Sequence, residues 1–310
     1  MIRTEGLTKK FPATRRRDPA ITAVENLDLE VREGEVFGFL GPNGAGKTTT
    51  VRMLTCLIAP TAGRAWIDGL PVGAEGTAIR RCIGILTESP GLYDQLSAER
   101  NLAFFARLYE VPARQRDAQV RRYLELLELW DRRHELVGGF SKGMKQKMAI
   151  ARALIHEPRV LFLDEPTSAL DPEAARVVRD FIAELRRAGR TIFLCTHNLD
   201  EAERLCDRIA VMNSRLIAVD TPANLRARLF GRRVAVRLRV PHEAAAAAVR
   251  ALPFVRAVEA ADSRLTVDLT DPEAQTPALV RALVEAGAEI MAVGEVEHSL
   301  EEVYFRLVDR

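Results

Sequence analysis

Val36–Thr50, VFGFLGPNGAGKTTT, decides how the rest of the chain reads. Val36, Phe37, Phe39 and Leu40 make an apolar run of the kind that lies in a buried parallel strand. The run breaks into Gly41-Pro42-Asn43-Gly44-Ala45-Gly46-Lys47-Thr48 and passes through Thr49 into VRMLTCLI, which has helical potential. A strand, then G-x-x-x-x-G-K-[ST], then a helix is the setting a phosphate-binding loop requires. Glycines at 41, 44 and 46 let successive backbone N–H groups turn inward around an anion, and the helix N-terminus adds its dipole. Lys47 is suited to neutralising the outer phosphates, and the Thr48 hydroxyl to ligating Mg²⁺. A glycine-rich turn could match the pattern by chance, but here both flanking elements are in place. The stretch implies a nucleoside triphosphate site.

A second apolar run, VLFLD (160–164), ends in a carboxylate and continues as EPTSALD. Asp164 at the carboxyl end of a strand can hold Mg²⁺ directly or through water. Glu165 beside it is suited to orienting and polarising an attacking water. His197 follows a neighbouring apolar run, TIFLCT (191–196), so it emerges at the same sheet edge, where a γ-phosphate contact is expected. Phe140-Ser141-Lys142-Gly143-Met144-Lys145-Gln146 opens a helix, and Ser141 and Gly143 can offer a hydroxyl and backbone N–H groups to an anion. The chain already has one phosphate loop. A second anion-binding helix end makes sense if it closes over the nucleotide of another copy.

In this order the motifs resemble the nucleotide-binding subunit of an ATP-binding-cassette (ABC) transporter. The likeness is strongest to the drug-resistance and sodium-efflux type of export ATPase that pairs with a separate permease. It covers residues 2–220. Gly41–Thr48 match the Walker A loop, and Val160–Glu165 match the Walker B strand with its catalytic glutamate. Ser168-Ala169-Leu170-Asp171 match the D-loop, His197 the switch histidine and Phe11 the aromatic that stacks on adenine. The family signature Leu-Ser-Gly-Gly-Gln stands here as Phe140-Ser141-Lys142-Gly143-Met144, keeping the serine and the second glycine. Glu88 falls where the family places a glutamine, so Mg²⁺ would meet a carboxylate there instead of an amide; oxygen ligation survives the change. The resemblance implies an ATPase that uses ATP and Mg²⁺ and closes as a head-to-tail homodimer. It also implies attachment to an integral-membrane permease at the cytoplasmic face of the membrane.

The remaining residues set the expected organisation. Strands are expected at 2–11, 21–31, 64–69, 82–87, 208–213 and 215–220. Helices are expected from Ser97 with Leu102, Phe105 and Leu108 on one face, and from Pro112 with Val120, Tyr123, Leu124, Leu127 and Trp130 on one face. Further helices are expected from Ser141 to the Glu157-Pro158 stop, over 172–187 with Gly189 just past the end, and over 198–206. The fold class is thus α/β: a P-loop cassette over residues 1–220, a mixed sheet core with a helical insertion over about 89–158. Past 220 a βαββαβ order suggests a small ferredoxin-like α+β module over 221–310. Its role is open among a dimerisation surface, a ligand sensor, a permease contact and a structural appendage.

The composition agrees. A formal net charge of +2 gives no polyanion footprint, so no nucleic acid is expected as partner. Arg15–Arg17 read as a solvated loop. Cys56, Cys82, Cys195 and Cys206 lack C-x-x-C spacing and read as buried thiols of a reducing compartment. No secretory leader and no apolar run of about 18 residues is visible. Two rival readings remain: a cassette ATPase acting on nucleic acid or ribosomes, and a regulatory protein that binds ATP without turnover.

Overall fold

The structure is a computed structural model that describes residues 1–12, 20–87, 91–168, 170–296 and 299–308. Its contacts divide the chain into two compact units, Met1–Pro222 and Ala223–Arg310.

The first unit contains two sheets. β1 (Ile2–Phe11), β2 (Ile21–Val31), β4 (Ala62–Ile67) and β5 (Leu70–Pro71) form an antiparallel sheet in the order β2-β1-β4-β5. The second has the order β10-β9-β3-β8-β7-β6. Its strands are β3 (Val36–Leu40), β6 (Ile83–Leu86), β7 (Val160–Asp164), β8 (Thr191–Cys195), β9 (Arg208–Asn213) and β10 (Arg215–Asp220). All its pairings are parallel except β9 with β10, so the sheet is mixed. Every residue of β3, β7 and β8 is buried, as continuous apolar runs in a parallel sheet require. Phe193 stands at the centre, with the rings of Phe37, Phe39 and Phe162 at 5.8, 5.0 and 5.5 Å.

Between β6 and β7 the chain makes α3 (Ala98–Leu108), α4 (Ala113–Leu126) and α5 (Lys142–Leu154), which pack on one another. Ser97 caps α3 by accepting the Arg100 N–H at 3.3 Å. Tyr123 on α4 donates to Glu157 Oε1 at 2.7 Å; Arg122 and Arg190 pair with the same carboxylate. Arg190 also reaches the Pro158 carbonyl at 2.6 Å, so α4 is tied to the residues that lead into β7 and β8. Burial and the Glu157 contact together push the Tyr123 hydroxyl well up.

Several elements differ from the sequence reading. α1 (Lys47–Leu54) stops short of 58, because Cys56 takes a left-handed φ of 59° and Leu57 N–H closes back on the Arg52 carbonyl at 2.9 Å. Likewise α4 ends before Trp130: Glu128 sits at φ 58° and Leu129 N–H returns to the Leu124 carbonyl at 2.7 Å. Trp130 then opens a separate short 3₁₀ turn, Trp130–Arg132. Leu108 is 63% exposed, because it lies about 100° round α3 from the centre of the buried stripe. A helix the sequence reading missed, α2 (Gly76–Cys82), takes Cys82 out of the expected strand. Cys56 and Cys82 are half-buried, whereas Cys195 and Cys206 are buried. α6 (Pro172–Arg187) and α7 (Leu199–Leu205) follow β7 and β8, and Gly189 closes α6 at φ 75°.

The second unit has its own core. After α8 (Pro222–Phe230), which begins on the last residue of the first unit, come β11 (Arg232–Leu238), α9 (Glu243–Arg250), β12 (Val255–Ala261), β13 (Arg264–Leu269), α10 (Pro272–Glu285), β14 (Ile290–Glu295) and α11 (Leu300–Val308). The sheet is antiparallel in the order β12-β13-β11-β14. A βαββαβ chain with that order is the ferredoxin-like arrangement. Val234, Val236, Val249, Val267, Leu279 and Leu283 lie in its core.

Candidate functional site

Register brings the chemistry to one edge. Asp164 lies level with Cys195, and Cys195 with Phe39, so β3, β7 and β8 end together. Gly41, Glu165 and His197 therefore leave the sheet on the same side, outside the carboxyl ends of parallel strands, where such sheets bind ligands.

The loop after β3 is shaped by two glycines for different reasons. Gly46 has φ 96°, and a Cβ there would lie 2.2 Å from the Ala23 carbonyl oxygen. Gly41 needs no unusual backbone angle; a Cβ at Gly41 would sit 2.3 Å from the Met212 carbonyl oxygen. No side chain caps α1 at Gly46, so its first N–H groups face the loop. Pro42, Asn43, Gly44, Ala45, Gly46, Lys47, Thr48 and Thr49 line a cavity of about 170 Å³ together with Asp164 and Glu165. Lys47 is buried, and its Nζ donates to the Gly41 carbonyl at 2.7 Å and the Pro42 carbonyl at 3.3 Å. The loop is wrapped around its own cation, which phosphate oxygens can take over.

Thr48 Oγ1 donates to Asp164 Oδ2 at 3.0 Å. A hydroxyl and a buried carboxylate converging at the floor of a phosphate loop are two hard oxygens. That donor set suits Mg²⁺, which takes one or two protein ligands and completes its shell with phosphate and water. Thr48 and Asp164 would hold the ion, which would supply charge to bridge and neutralise the outer phosphates. Glu88, the third expected metal ligand, lies outside the described residues.

Glu165 follows Asp164 with φ 52°, a left-handed angle for a residue with a side chain; strain of that kind clusters at functional sites. Its N–H is fixed by the Cys195 carbonyl at 2.9 Å, and its Oε2 lies 2.8 Å from His197 Nδ1. A carboxylate in contact with an imidazole can accept a proton from water and keep its orientation while doing so. Behind them, burial pushes the Cys195 thiol well above its usual range, with the Asp164 charge adding to it; the thiol stays protonated and inert.

The other expected residues stand apart from the cavity. Ser141 caps α5, accepting the Met144 N–H at 3.2 Å, and Ser141 and Lys142 are exposed. The space at Gly143 is bounded by Leu170 and Ala174. Asp171 caps α6 through the Ala174 N–H at 2.9 Å. Phe11, at the end of β1, is 38% exposed, and the Lys9 ammonium lies 5.2 Å from its ring centre. Sequence reasoning missed one link: Gln146 on α5 donates to the Pro166 carbonyl at 2.9 Å, tying that helix to the loop of Glu165. Its only sequence cue was a place in the Phe140–Gln146 stretch that opens α5.

The comparisons with known proteins agree with this geometry. Residues 24–168 match the family model described as ABC transporter. Residues 221–308 match the model described as ATP-binding protein DrrA1-3-like, C-terminal domain. A daunorubicin resistance ATP-binding protein of Streptomyces coeruleorubidus is 41% identical over 92% of this chain and 90% of its own. A fluoroquinolones export ATP-binding protein of Mycobacterium tuberculosis is 41% identical over 77% of each chain. A Nod factor export ATP-binding protein of Rhizobium is 36% identical over 93% of this chain and 92% of its own. Among solved structures, a dimeric ATP-binding cassette in a post-hydrolysis state with ADP and Pi aligns with a TM-score of 0.65 at 27% identity. The alignment covers 71% of this chain and 98% of that one. The chain belongs to the ABC transporter family as an ATP-binding protein, an ATPase that uses ATP with Mg²⁺.

Proposed function

We propose that the chain is the ATP-hydrolysing subunit of an export system for a drug, ion or other small molecule. Two copies close head-to-tail on two ATP molecules and drive a separate integral-membrane permease, held at the cytoplasmic face of the membrane. Phe11 stacks on adenine, Gly41–Thr49 hold the phosphates, Thr48 and Asp164 hold Mg²⁺, and Glu165 with His197 act on the attacking water. Ser141, Lys142, Gly143 and Met144 complete the site of the opposite copy, with Asp171 near the joint. The cassette spans residues 1–220 with its helical insertion over about 89–158, and the module over 221–310 is an accessory. No helix among the described residues is long and apolar enough to cross a membrane, so the permease must be another chain or another segment.

The observation that carries this reading is the separation of two anion-binding elements. The hydrolytic residues gather around one cavity, while the exposed N-terminus of α5 lines no part of it. The export direction rests on the relatives, several of which are named for export or drug resistance. Glu165→Gln tests it. With ATP and Mg²⁺ the variant should sediment as a dimer and hydrolyse on the order of 10²-fold more slowly than wild type, as expected for loss of a general base. Adding Ser141→Arg should return it to monomer. A Glu165→Gln chain that stays monomeric with ATP, or turns over at the wild-type rate, would refute the assignment.

A further inference from the structure

The hydrolytic step as described leaves one buried carboxylate unused. Glu201 stands in the first turn of α7, just past the loop of His197, with its N–H held by the Asn198 side chain at 3.0 Å. It is 2% exposed, and neither carboxylate oxygen accepts a hydrogen bond among the described residues. Burial pushes its carboxyl above the usual range. The hydroxyls of Thr167 and Thr196 stand within reach of it, short of a well-made hydrogen bond, and pull the other way, as does the Arg179 charge, while Glu165 adds to the rise. Thr167 lies two residues after Glu165, and Thr196 immediately precedes His197. Thr196 Oγ1 already accepts the Asn198 N–H at 3.0 Å, which leaves its proton to donate.

A buried acceptor left unmade costs on the order of 1–3 kcal/mol, more when charged. Leucine would fill the position with no polar group to satisfy, so the carboxylate needs a use. Glu201 stands behind both loops whose ends meet at the 2.8 Å contact of Glu165 with His197. We propose that Glu201 is a positioning residue for hydrolysis: as the site closes on nucleotide, its carboxylate accepts from Thr167 and Thr196 together. That clamps the loop of Glu165 against the loop of His197. The proposal rests on the assignment of those two residues to the hydrolytic step.

Steady-state hydrolysis and thermal melting of the full chain test it. Glu201→Gln should lower kcat about tenfold, as small misplacement of reacting groups does, with KM for ATP within about twofold. Its Tm should hold or rise, because a buried carboxylate without well-made hydrogen bonds gives way to a neutral group. Thr167→Val should lower kcat in the same way and Thr167→Ser should keep it. Combined with Glu201→Gln, Thr167→Val should cost nothing further, since both break one link. Wild-type kcat in Thr167→Val or Glu201→Gln overturns the proposal. So does a kcat loss that comes with a lower Tm and adds to the threonine effect, since that marks a structural residue. Glu165→Gln in the same assay separates the two levels: turnover retained there defeats the underlying assignment, whatever Glu201 does.

Discussion

His156 shows how a single half-buried ring can write itself into the pH dependence of the whole chain. It stacks on Tyr109 with ring centres 3.9 Å apart and planes 8° from parallel, and its Nε2 lies 2.9 Å from the Ile83 carbonyl. That contact requires the proton on Nε2, so the lone pair falls on Nδ1, which is buried without a hydrogen-bond partner among the described residues. Burial holds the ring's pKa below its ordinary 6.5, and the Ile83 carbonyl only partly offsets it. Between the two values the unfolded chain binds the proton and the native chain does not, so stability rises with pH across that window. It is lost as pH falls through 6.5 toward the depressed native value. His156→Phe keeps the stack and removes the titration. Wild type should therefore gain more Tm than the variant between about pH 5 and 7.5; parallel Tm–pH curves would remove His156 as a contributor. Residues of this kind were closed to sequence reading, whereas the phosphate loop and Asp164-Glu165 were open to it. In those motifs the partners are contiguous, or sit at the end of one apolar strand. The burial of Glu201 and the reach of Gln146 to Pro166 arise between side chains brought together only by folding.

At the scale of elements, most strands and most helix starts were legible, and the helix ends that lack a glycine were not. Among the starts, α10 begins at Pro272 and not at the expected Thr276. Buried strands announce themselves as apolar runs, and Ser97, Ser141 and Asp171 are the residue types that cap a helix N-terminus. Helix ends usually announce themselves by glycine, and Gly189 after α6 does so at φ 75°. The same reverse turn closes α1, α3 and α4, but on Cys56, Glu110 and Glu128, at φ 59°, 58° and 58°. Without the glycine, the apolar pattern ran on past both α1 and α4. α2 was missed for a different reason: only Ile79 of its seven residues is buried, too little for any period to register. The strained ends make a prediction. Glu110 N–H bonds the Arg107 carbonyl at 3.0 Å and Val111 N–H the Ala106 carbonyl at 2.9 Å, so the turn itself is well made. Among the described residues the Glu110 side chain offers only an exposed pair with Arg81, and such pairs are worth at most about 1 kcal/mol. Left-handed geometry costs a residue with a Cβ roughly 1–2 kcal/mol and glycine nothing, though glycine loses about 0.4–1 kcal/mol of that in the unfolded chain. Glu110→Gly should thus match or exceed wild-type stability in denaturant titration. Glu110→Val, β-branched at the same angle, should fall below both by about 1–2 kcal/mol. Equal stability of the two variants would mean that this end carries no backbone strain.

For the whole molecule, the question is what one copy can do alone. The first unit holds every nucleotide residue named above among those described, and the second is a separate ferredoxin-like core with a βαββαβ order already visible in its pattern of runs. The pairing of copies was not legible from periodicity or composition, because a composite site leaves no trace in either; it was inferred from one anion-binding helix end too many. Two inactive variants test that inference. Lys47→Ala removes the cation that the loop wraps, so the copy carrying it cannot hold its own phosphates. Ser141→Arg puts a bulky cation at the exposed start of α5 and blocks the site of whichever copy faces it. Each homodimer has both sites damaged. In the mixed dimer one site gathers both defects, while the other joins an intact Lys47 to an intact Ser141. Mixing the two proteins and letting subunits exchange should therefore restore part of the ATPase activity, up to about a quarter of wild type if sites turn over independently and half the dimers are mixed. If Lys47 and Ser141 served one site within a single copy, no arrangement of the two variants would contain an intact pair. The mixture would then stay as inactive as its components, and the head-to-tail arrangement would have to be abandoned.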